Sequence, residues 1–551
     1  MKTTRLILSI FTATLVLFAC DKVGQEPVQE PTPDNKDNNS QQQTTQEDTA
    51  VHKLEGTALS GTSRWKGLDL GEAFVITKVA YTPKNGANVQ LAIIEGANSS
   101  DFSDALPLAI VKENSTAGKE HEIEVTCSRA FRYVRFMSPA NANYNLVDLA
   151  FWGRKVKGDD SQFYQLTNLP TVIINTQNSK EVTSKTDYIG CNIYVISDDG
   201  KKLLTGLQSK IRGRGNASWG FPKKPYRIKF AEKQRVLGSP SSDKSWTLIS
   251  NHGDKTLMRN ILAFEVSRRV GMAYTPFCTP VDVVMNGEYE GCYQLCDQVE
   301  VGTGRVPAKN GYLVEIDAYA NDEQVYFYSS YDIPVTVKYP KDDEITAAQL
   351  SFIKDFWARM ESAMFTGNYK DDVNGYRKYI DLDSFLQNFI VGEFCGNTDT
   401  YWSVNMYKDG AEGKFFTGPA WDYDLSFDND YRTYPINTKL NDFIYASNGS
   451  VASWRVRDMV DRIVKDDAAA RARLVEIWDQ AKPSLANLND YVDQTATHLD
   501  QSQKLNFIRW PILNSYEHMN PQVSGSYAGE VKVVKKYITG RLERFDQLVK
   551  N

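Results

Sequence analysis

Apolar and polar residues alternate through EAFVITKVAYTP, NVQLAIIEG, HEIEVTC, FRYVRFMS and YNLVDLAFWG, all between residues 51 and 155. Turn-forming residues separate these runs, so the segment reads as short antiparallel strands folded into a β-sandwich. The alternation returns in LPTVIINTQN, CNIYVISDDG and KLLTGLQSKIRG. In KKPYRIKF, Tyr226, Ile228 and Phe230 fall on one face of a strand, Arg227 and Lys229 on the other. The period then changes in GDKTLMRNILAFEVSRRVG, where Leu257, Ile261, Leu262 and Phe264 recur at helical spacing between Asp254 as N-cap and Gly271 as C-cap. A strand pair turning at Asn286-Gly287 follows, and GYLVEIDAY sets Glu315 and Asp317 on one strand face. From about residue 440, apolar positions recur three and four residues apart through SWRVRDMVDRIVKD, AAARARLVEIWDQAKPSLANLNDYVDQTATHL and EVKVVKKYITGRLERFDQLVK, which predicts helices. The expected architecture is multidomain: an antiparallel β-sandwich at 51–157, an α+β domain at 160–440, and a helical region at 441–551 that completes or braces it.

Two N-terminal segments show neither period. Lys2 and Arg5 precede an apolar run from Leu6 to Leu17, and Leu17-Phe18-Ala19-Cys20 resembles a bacterial lipobox. The resemblance implies a signal peptide at 1–19, a lipid on Cys20, and a protein exported and anchored to a bacterial membrane, at the outer membrane or cell surface. Residues 20–50 are rich in Gln, Asn, Asp, Thr and Pro and poor in core formers, as a disordered tether requires.

The 551 residues, 41% hydrophobic, suffice for several domains, and beyond the leader no run is long enough to span a bilayer. A net charge of −6 without a dense Lys/Arg run excludes nucleic acid as a main partner. Of the seven cysteines, Cys127, Cys191, Cys278 and Cys395 are scattered, while Cys292 and Cys296 in GCYQLC admit a disulfide between them or buried free thiols. No zinc spacing is present. With five histidines, of which only His252 sits in a motif-dense region, a Ser-His-Asp or His-ligated metal site is disfavoured.

The stretch DTYWSVNMYKDGAEGKFFTGPAWDYD, from Asp399 to Asp424, can gather three aspartates and an asparagine around one cation. Trp402, Val404 and Met406 alternate to one side, and FFTGPAW resumes after DGAEG, so a hairpin is expected. A turn near Ala411 sets Tyr401 opposite Trp421 and brings Asp399 to Asp422 and Asp424 at its base. Carboxylates so placed repel unless a hard cation such as Mg²⁺ sits among them, as a bound triphosphate needs. Upstream, RGRGN offers two glycines for close backbone approach to a phosphate and Arg212 and Arg214 to pair with it. The following strand adds Arg227 and a lysine, either Lys224 or Lys229, in the order of a kinase N-lobe. Arg259 and Asn260, in the first turns of the expected helix, sit where an anion is welcome.

RGRGNASWGFPKKPYRIKF, GDKTLMRNILAFEVSRRVG, NGEYEGCYQLCDQVEV, GYLVEID, NTDTYWSVNMYK and GPAWDYDLSF, in that order, resemble the CotH family of atypical protein-kinase-like proteins over about residues 165 to 430. The resemblance implies transfer of phosphate from ATP, with Mg²⁺ or Mn²⁺, to serine or threonine of a protein acceptor. It implies Asp399 as catalytic aspartate, Asp422 as metal-binding aspartate and Asn405 as the asparagine after the former. In a regular hairpin Asn405 pairs near Thr417, several strand steps from Asp422, which leaves Asp424 as the better second carboxylate for metal. Glu315 could support the cofactor, pair with a lysine, or lie at a solvated edge. Asp297 stands where the family tends to show glutamate, which implies a shorter reach to the phosphate-anchoring lysine. In the N-terminal part, DLGEAFVITKVAYTPK, RAFRYVRFMSP and NLVDLAFWG resemble the discoidin or F5/8 type C family of galactose-binding-like domains, implying a glycan-recognition module with Trp65 and Tyr144 as stacking or packing residues. Two other readings compete: a degenerate kinase fold that serves as a surface scaffold, and a carboxylate-based glycosidase.

Overall fold

The computed structural model describes residues 48–59, 63–447 and 454–551. The leader, Cys20 and all but the last three residues of the tether lie outside these residues. Residues 47–551 form one compact unit. No helix among the described residues is long and apolar enough to cross a membrane.

Eight antiparallel strands build the N-terminal part, beginning with Asp48–Lys53, which pairs with Leu146–Lys155. The long strand Trp65–Pro83 organises the rest. Its first half pairs with Ala130–Met137, and its second half lies between Leu146–Lys155 and His121–Glu124. The register slips between Asp69 and Phe74, around Gly71 at φ 78°, a left-handed conformation that glycine adopts without strain. Alternate residues Val79, Tyr81, Val134 and Phe136 point inward onto Ile93 and Leu108. Of the two stacking candidates, Trp65 packs 5.7 Å from the Phe102 ring, and Tyr144 is half-buried against the same core. That core continues without a break into Ile173, Tyr194, Ile196, Val284 and Tyr289 of the next layer.

The second layer is a closed barrel of seven strands. It is antiparallel throughout except where Cys278–Met285 runs parallel to Thr171–Thr176. Ile211, Ile228, Phe230, Trp246, Leu248, Val283, Tyr293 and Leu295 fill its interior, which accounts for the period of two in these segments. Asn286 (φ 52°) and Gly287 (φ 82°) make the tight turn that Asn-Gly predicts. Residues of opposite parity face outward. Arg212, Arg227, Thr247, Cys296 and Cys278 are successive cross-strand partners and form one row on the outer wall.

A five-stranded sheet and the helices complete the fold. Val314, Ile316, Val404 and Met406 bury one face of the pair Tyr312–Asp317 and Ser403–Lys408 in the largest core, so Glu315 and Asn405, register partners, point to the other face. The C-terminal helix Tyr527–Lys550 braces the helix Leu382–Cys395. Arg541 donates to the Glu393 carbonyl at 2.6 and 3.1 Å, and the Tyr537 hydroxyl to that of Phe394 at 2.8 Å.

Four local expectations change. The helix of GDKTLMRNILAF spans Arg259–Val270 with Met258 at its N-cap position. Asp254 reaches forward instead, accepting the Arg259 N–H at 2.8 Å and the Thr256 N–H at 2.9 Å. The 399–424 hairpin is shorter and shifted by one residue: Met406 pairs with Thr417, and the ladder ends at Gly418, whose N–H reaches the Asn405 carbonyl. Pro419 has no N–H to continue it. Tyr401 therefore does not face Trp421; its hydroxyl donates to Glu393 at 2.9 Å, while Trp421 stacks on Phe264. Cys292 and Cys296 lie on a single strand, about 13 Å apart at the rise of a β-strand, too far for a bond between them. Asp297 meets Arg305 at 3.4 Å and the Ser241 hydroxyl at 2.5 Å rather than a lysine. Its shorter side chain is satisfied inside the barrel wall.

Candidate functional site

The helix Leu382–Cys395 ends at Gly396 in the left-handed conformation, φ 77°, and Asp399 follows three residues later. The Asn397 side chain accepts the Asp399 N–H at 3.2 Å and donates to the Asp422 carbonyl at 3.2 Å, tying the two acidic segments together. Asp422 itself adopts φ 64°. Such a backbone persists only when its surroundings enforce it. Here the Tyr423 N–H is held by Asn260 at 2.7 Å, the Asp424 carbonyl by Asn429 at 2.7 Å, and the Ser426 carbonyl by Arg259 at 3.0 Å. Arg259 is also paired with Asp254, so the start of that helix grips the acidic loop rather than a free anion. Replacing Asn260 by alanine leaves the buried Tyr423 N–H without its acceptor, and destabilisation of about 1–3 kcal/mol is expected in urea unfolding.

Asp399 acts electrostatically on both Asp422 and Asp424, and Asp422 on Asp424. Burial raises the Asp422 pKa, Arg214 opposes the rise, and Asp399 and Glu315 add to it. Asp422 nonetheless opens to solvent, so a dissolved ion or nucleotide can reach it. Asp424 is pushed well above its ordinary value, first by burial and then by Asp422, Asp254 and Asp399. Asp399 is raised by burial against the pull of Arg432, whose Nη2 lies 3.2 Å from its Oδ1. Arg432 also binds Asp430 and Thr398, so it is held rigidly beside Asp399. Asn405 is buried, and its Oδ1 has no hydrogen-bond partner among the described residues. It lines a small cavity with Asn397, Ser403 and Trp421. Glu315 accepts from Ser403 at 2.8 Å and pairs with Lys338.

Among the described residues no group of three His, Cys, Asp or Glu side chains is disposed to hold a metal ion by itself. The donor set still suits a hard cation: two carboxylates raised first by burial and then by neighbouring acids, and the Asn405 amide oxygen, which has no partner among the described residues.

The basic candidates divide. The Arg214 guanidinium lies 5.6 Å over the Trp421 ring, next to Asp422. Arg212, two residues earlier and still within the strand Leu203–Gly213, turns outward to the Lys185 carbonyl and the Tyr188 ring. Arg227 is engaged by Glu300, Lys224 donates to the Trp219 carbonyl at 2.7 Å, and Lys229 is exposed. The glycines of RGRGN serve packing: a Cβ on Gly213 would fall 2.3 Å from the Trp219 ring. Lys223, the first lysine of KKPYRIKF and not among the candidates, is buried and donates to the Cys292 carbonyl and the Asn506 side chain. Burial lowers its pKa from 10.5 to about 8. The unfolded chain therefore holds this proton more tightly, and a penalty on the order of 3 kcal/mol, present in full below pH 8, fades as pH rises towards 10.5. Urea midpoints of wild type and Lys223→Met, compared from pH 7 to 10, should show an alkaline gain that only wild type displays.

Sequence reasoning missed Arg432, Lys338, Asn429 and His518, whose ring lies near Asp399 and 5.2 Å from Phe221. Each comes from a segment without a local signature. Asn397 was recoverable, because an asparagine two residues before an aspartate is a common side-chain-to-backbone turn.

A family model described as CotH kinase protein matches residues 211–544. No curated protein matches the chain. Among solved structures, one described as CBM62 from Clostridium thermocellum Xyl5A is 29% identical over 20% of this chain and 99% of its own, with a TM-score of 0.17.

Proposed function

The chain belongs to the CotH kinase protein family, and from that premise we propose that it transfers phosphate from ATP, with Mg²⁺ or Mn²⁺, to a serine or threonine hydroxyl of a protein acceptor. The observation that carries this reading is the confrontation of Asp399, Asp422 and Asp424 beside Arg214. Acids raised by burial and by the negative charge around them mark a place for a cation, and an arginine beside them marks a place for an anion. Mg²⁺ is commonly held by one or two carboxylates plus phosphate oxygens, and it supplies charge neutralisation on the phosphates. Asp422 and Asp424 are the carboxylates for it here, with Asn405 Oδ1 as a neutral oxygen. Arg214 binds the phosphate end, and its stacking on Trp421 limits the entropy lost in doing so. Asp399, raised by burial yet paired with Arg432, accepts the proton of the acceptor hydroxyl and orients its oxygen. Arg227 is paired with Glu300, and Arg212 and Lys224 are turned to the Lys185 and Trp219 carbonyls, which leaves Arg214 as the cation for the phosphates.

Two further parts of the proposal rest on sequence resemblance alone. The lipobox-like LFAC assigns Cys20 to a lipid anchor on an exported protein, and the discoidin-like order of strands assigns residues 51–157 to a glycan.

Calorimetric titration of Mg²⁺-ATP into the chain, beside Asp422→Ala, with intact mass recorded after incubation, tests the catalytic reading. Binding by wild type that falls at least tenfold in the variant, together with an added phosphate, is the expected result. No heat in either chain overturns it and leaves a kinase-fold surface scaffold.

A further inference from the structure

We propose that Cys278 and Cys296 are joined by a disulfide in the mature protein, a modification that staples the barrel wall beside Arg214. Cys278 opens the strand Cys278–Met285, and Cys296 is its direct partner near the end of the antiparallel strand Glu288–Asp297. The adjacent pair, Phe277 and Asp297, is the hydrogen-bonded one, with the Asp297 N–H donating to the Phe277 carbonyl at 2.9 Å. Cys278 and Cys296 therefore occupy a non-hydrogen-bonded position, where facing Cα atoms approach to about 4.5 Å and side chains come closest. That spacing falls within the window a disulfide requires. The two Sγ atoms approach to 2.7 Å, inside van der Waals contact for sulfurs that are not bonded.

The surroundings favour this pair over any other. Cys127, Cys191, Cys292 and Cys395 are buried, whereas Cys278 is half-exposed and open to an oxidant. Burial pushes the Cys296 thiol up, which leaves Cys278 as the first sulfur to react. With oxidised glutathione as oxidant, the Cys278 thiolate attacks its disulfide and releases one glutathione as thiol. Cys296 then attacks the Cys278 sulfur and displaces the second. Two electrons pass from the cysteine pair to the oxidant, and the two thiol protons end on the released glutathione molecules.

Position gives the bond a consequence. Cys296 continues the outer row of Arg212, Arg227 and Thr247 and lies near Arg214. It also precedes Asp297, whose carboxylate is fixed by Ser241 and Arg305. A covalent link at this end of the hairpin holds together the wall that faces the acidic loop. The inference is independent of phosphate transfer and survives or fails apart from it.

The test treats the full chain with oxidised glutathione at neutral pH, blocks remaining thiols with N-ethylmaleimide, denatures it, and cleaves after glutamate. Cleavage after Glu290 separates Cys278 from Cys296. The expected product is a fragment holding Cys278 joined to the fragment that begins at Gly291, released by dithiothreitol. Cys292→Ala should retain it and Cys296→Ala should lose it. Maleimide or glutathione on both sulfurs of wild type, or a bond from Cys278 to Cys292, overturns the proposal. Fragmentation of the wild-type product between Cys292 and Cys296 decides the matter even if a variant fails to fold.

Discussion

Asp399→Asn should lower the rate of phosphate transfer by about 10²–10⁴-fold, some 3–5 kcal/mol of barrier, while Mg²⁺-ATP binding stays close to wild type. Asparagine keeps the shape and an acceptor oxygen but gives up the negative charge and cannot take a proton. Arg432 Nη2, 3.2 Å from Asp399, also binds Asp430 at 2.6 Å and Thr398 at 2.7 Å, so it remains anchored after the change. The segment is further held by the Asn397 turn. Loss of turnover without loss of binding is thus the signature of a group that acts on the acceptor hydroxyl. Equal loss of both would make Asp399 a metal ligand, and unchanged turnover would remove it from the mechanism. Single-turnover phosphate transfer, measured beside calorimetry of the same preparations, separates these outcomes.

Arg541→Met is expected to destabilise the fold by about 3–5 kcal/mol, because it strands a buried carboxylate. Glu393 is fully buried in the helix that leads to Asp399. Its carboxylate accepts the Tyr401 hydroxyl and the N–H groups of Ile444 and Tyr445, and Arg541 supplies the opposing charge at 3.6 Å. The arginine also donates twice to the Glu393 backbone carbonyl. Burial already raises the Glu393 pKa. Without Arg541 it rises further, the acid protonates in the fold, and the deficit shrinks as pH falls. Urea midpoints at pH 8 and pH 5 should therefore differ more for the variant than for wild type. A variant as stable as wild type at pH 8 would mean that the last helix does not hold up the floor of the site.

Legibility in the sequence followed the range of the physics. Period-two runs gave strands, and Leu257 to Phe264 gave a helix, because burial of one face is a local pattern. The Asn286-Gly287 turn was readable for the same reason, since two residues set its backbone. The helix start was misread because Asp254 caps from a distance, through a loop whose path depends on Arg259 and the acidic segment beyond it. The hairpin register was missed by one residue because the connection centres between Ala411 and Glu412 rather than on Ala411. With pairing of period two, a single step changes every partner.

The candidate acids were visible as Asp399, Asp422 and Asp424, since aspartates in turns flanking apolar strands form a pattern in one stretch of chain. Their neighbours were not. Arg432, Asn429, Lys338 and His518 reach the candidate acids from separate segments, and no short-range rule links them. Among the cations, sequence offered six of nearly equal claim, and only folding set Arg214 against Asp422 while turning Arg212 to the Lys185 carbonyl. The amino-acid pattern by itself thus determined the elements, the family and the acidic groups, because each is encoded within a few turns or strand steps. Tertiary structure alone decided which charges meet, because barrel closure and the packing of Tyr527–Lys550 on Leu382–Cys395 bring together residues more than a hundred positions apart, where burial and Coulomb forces act through space rather than along the chain.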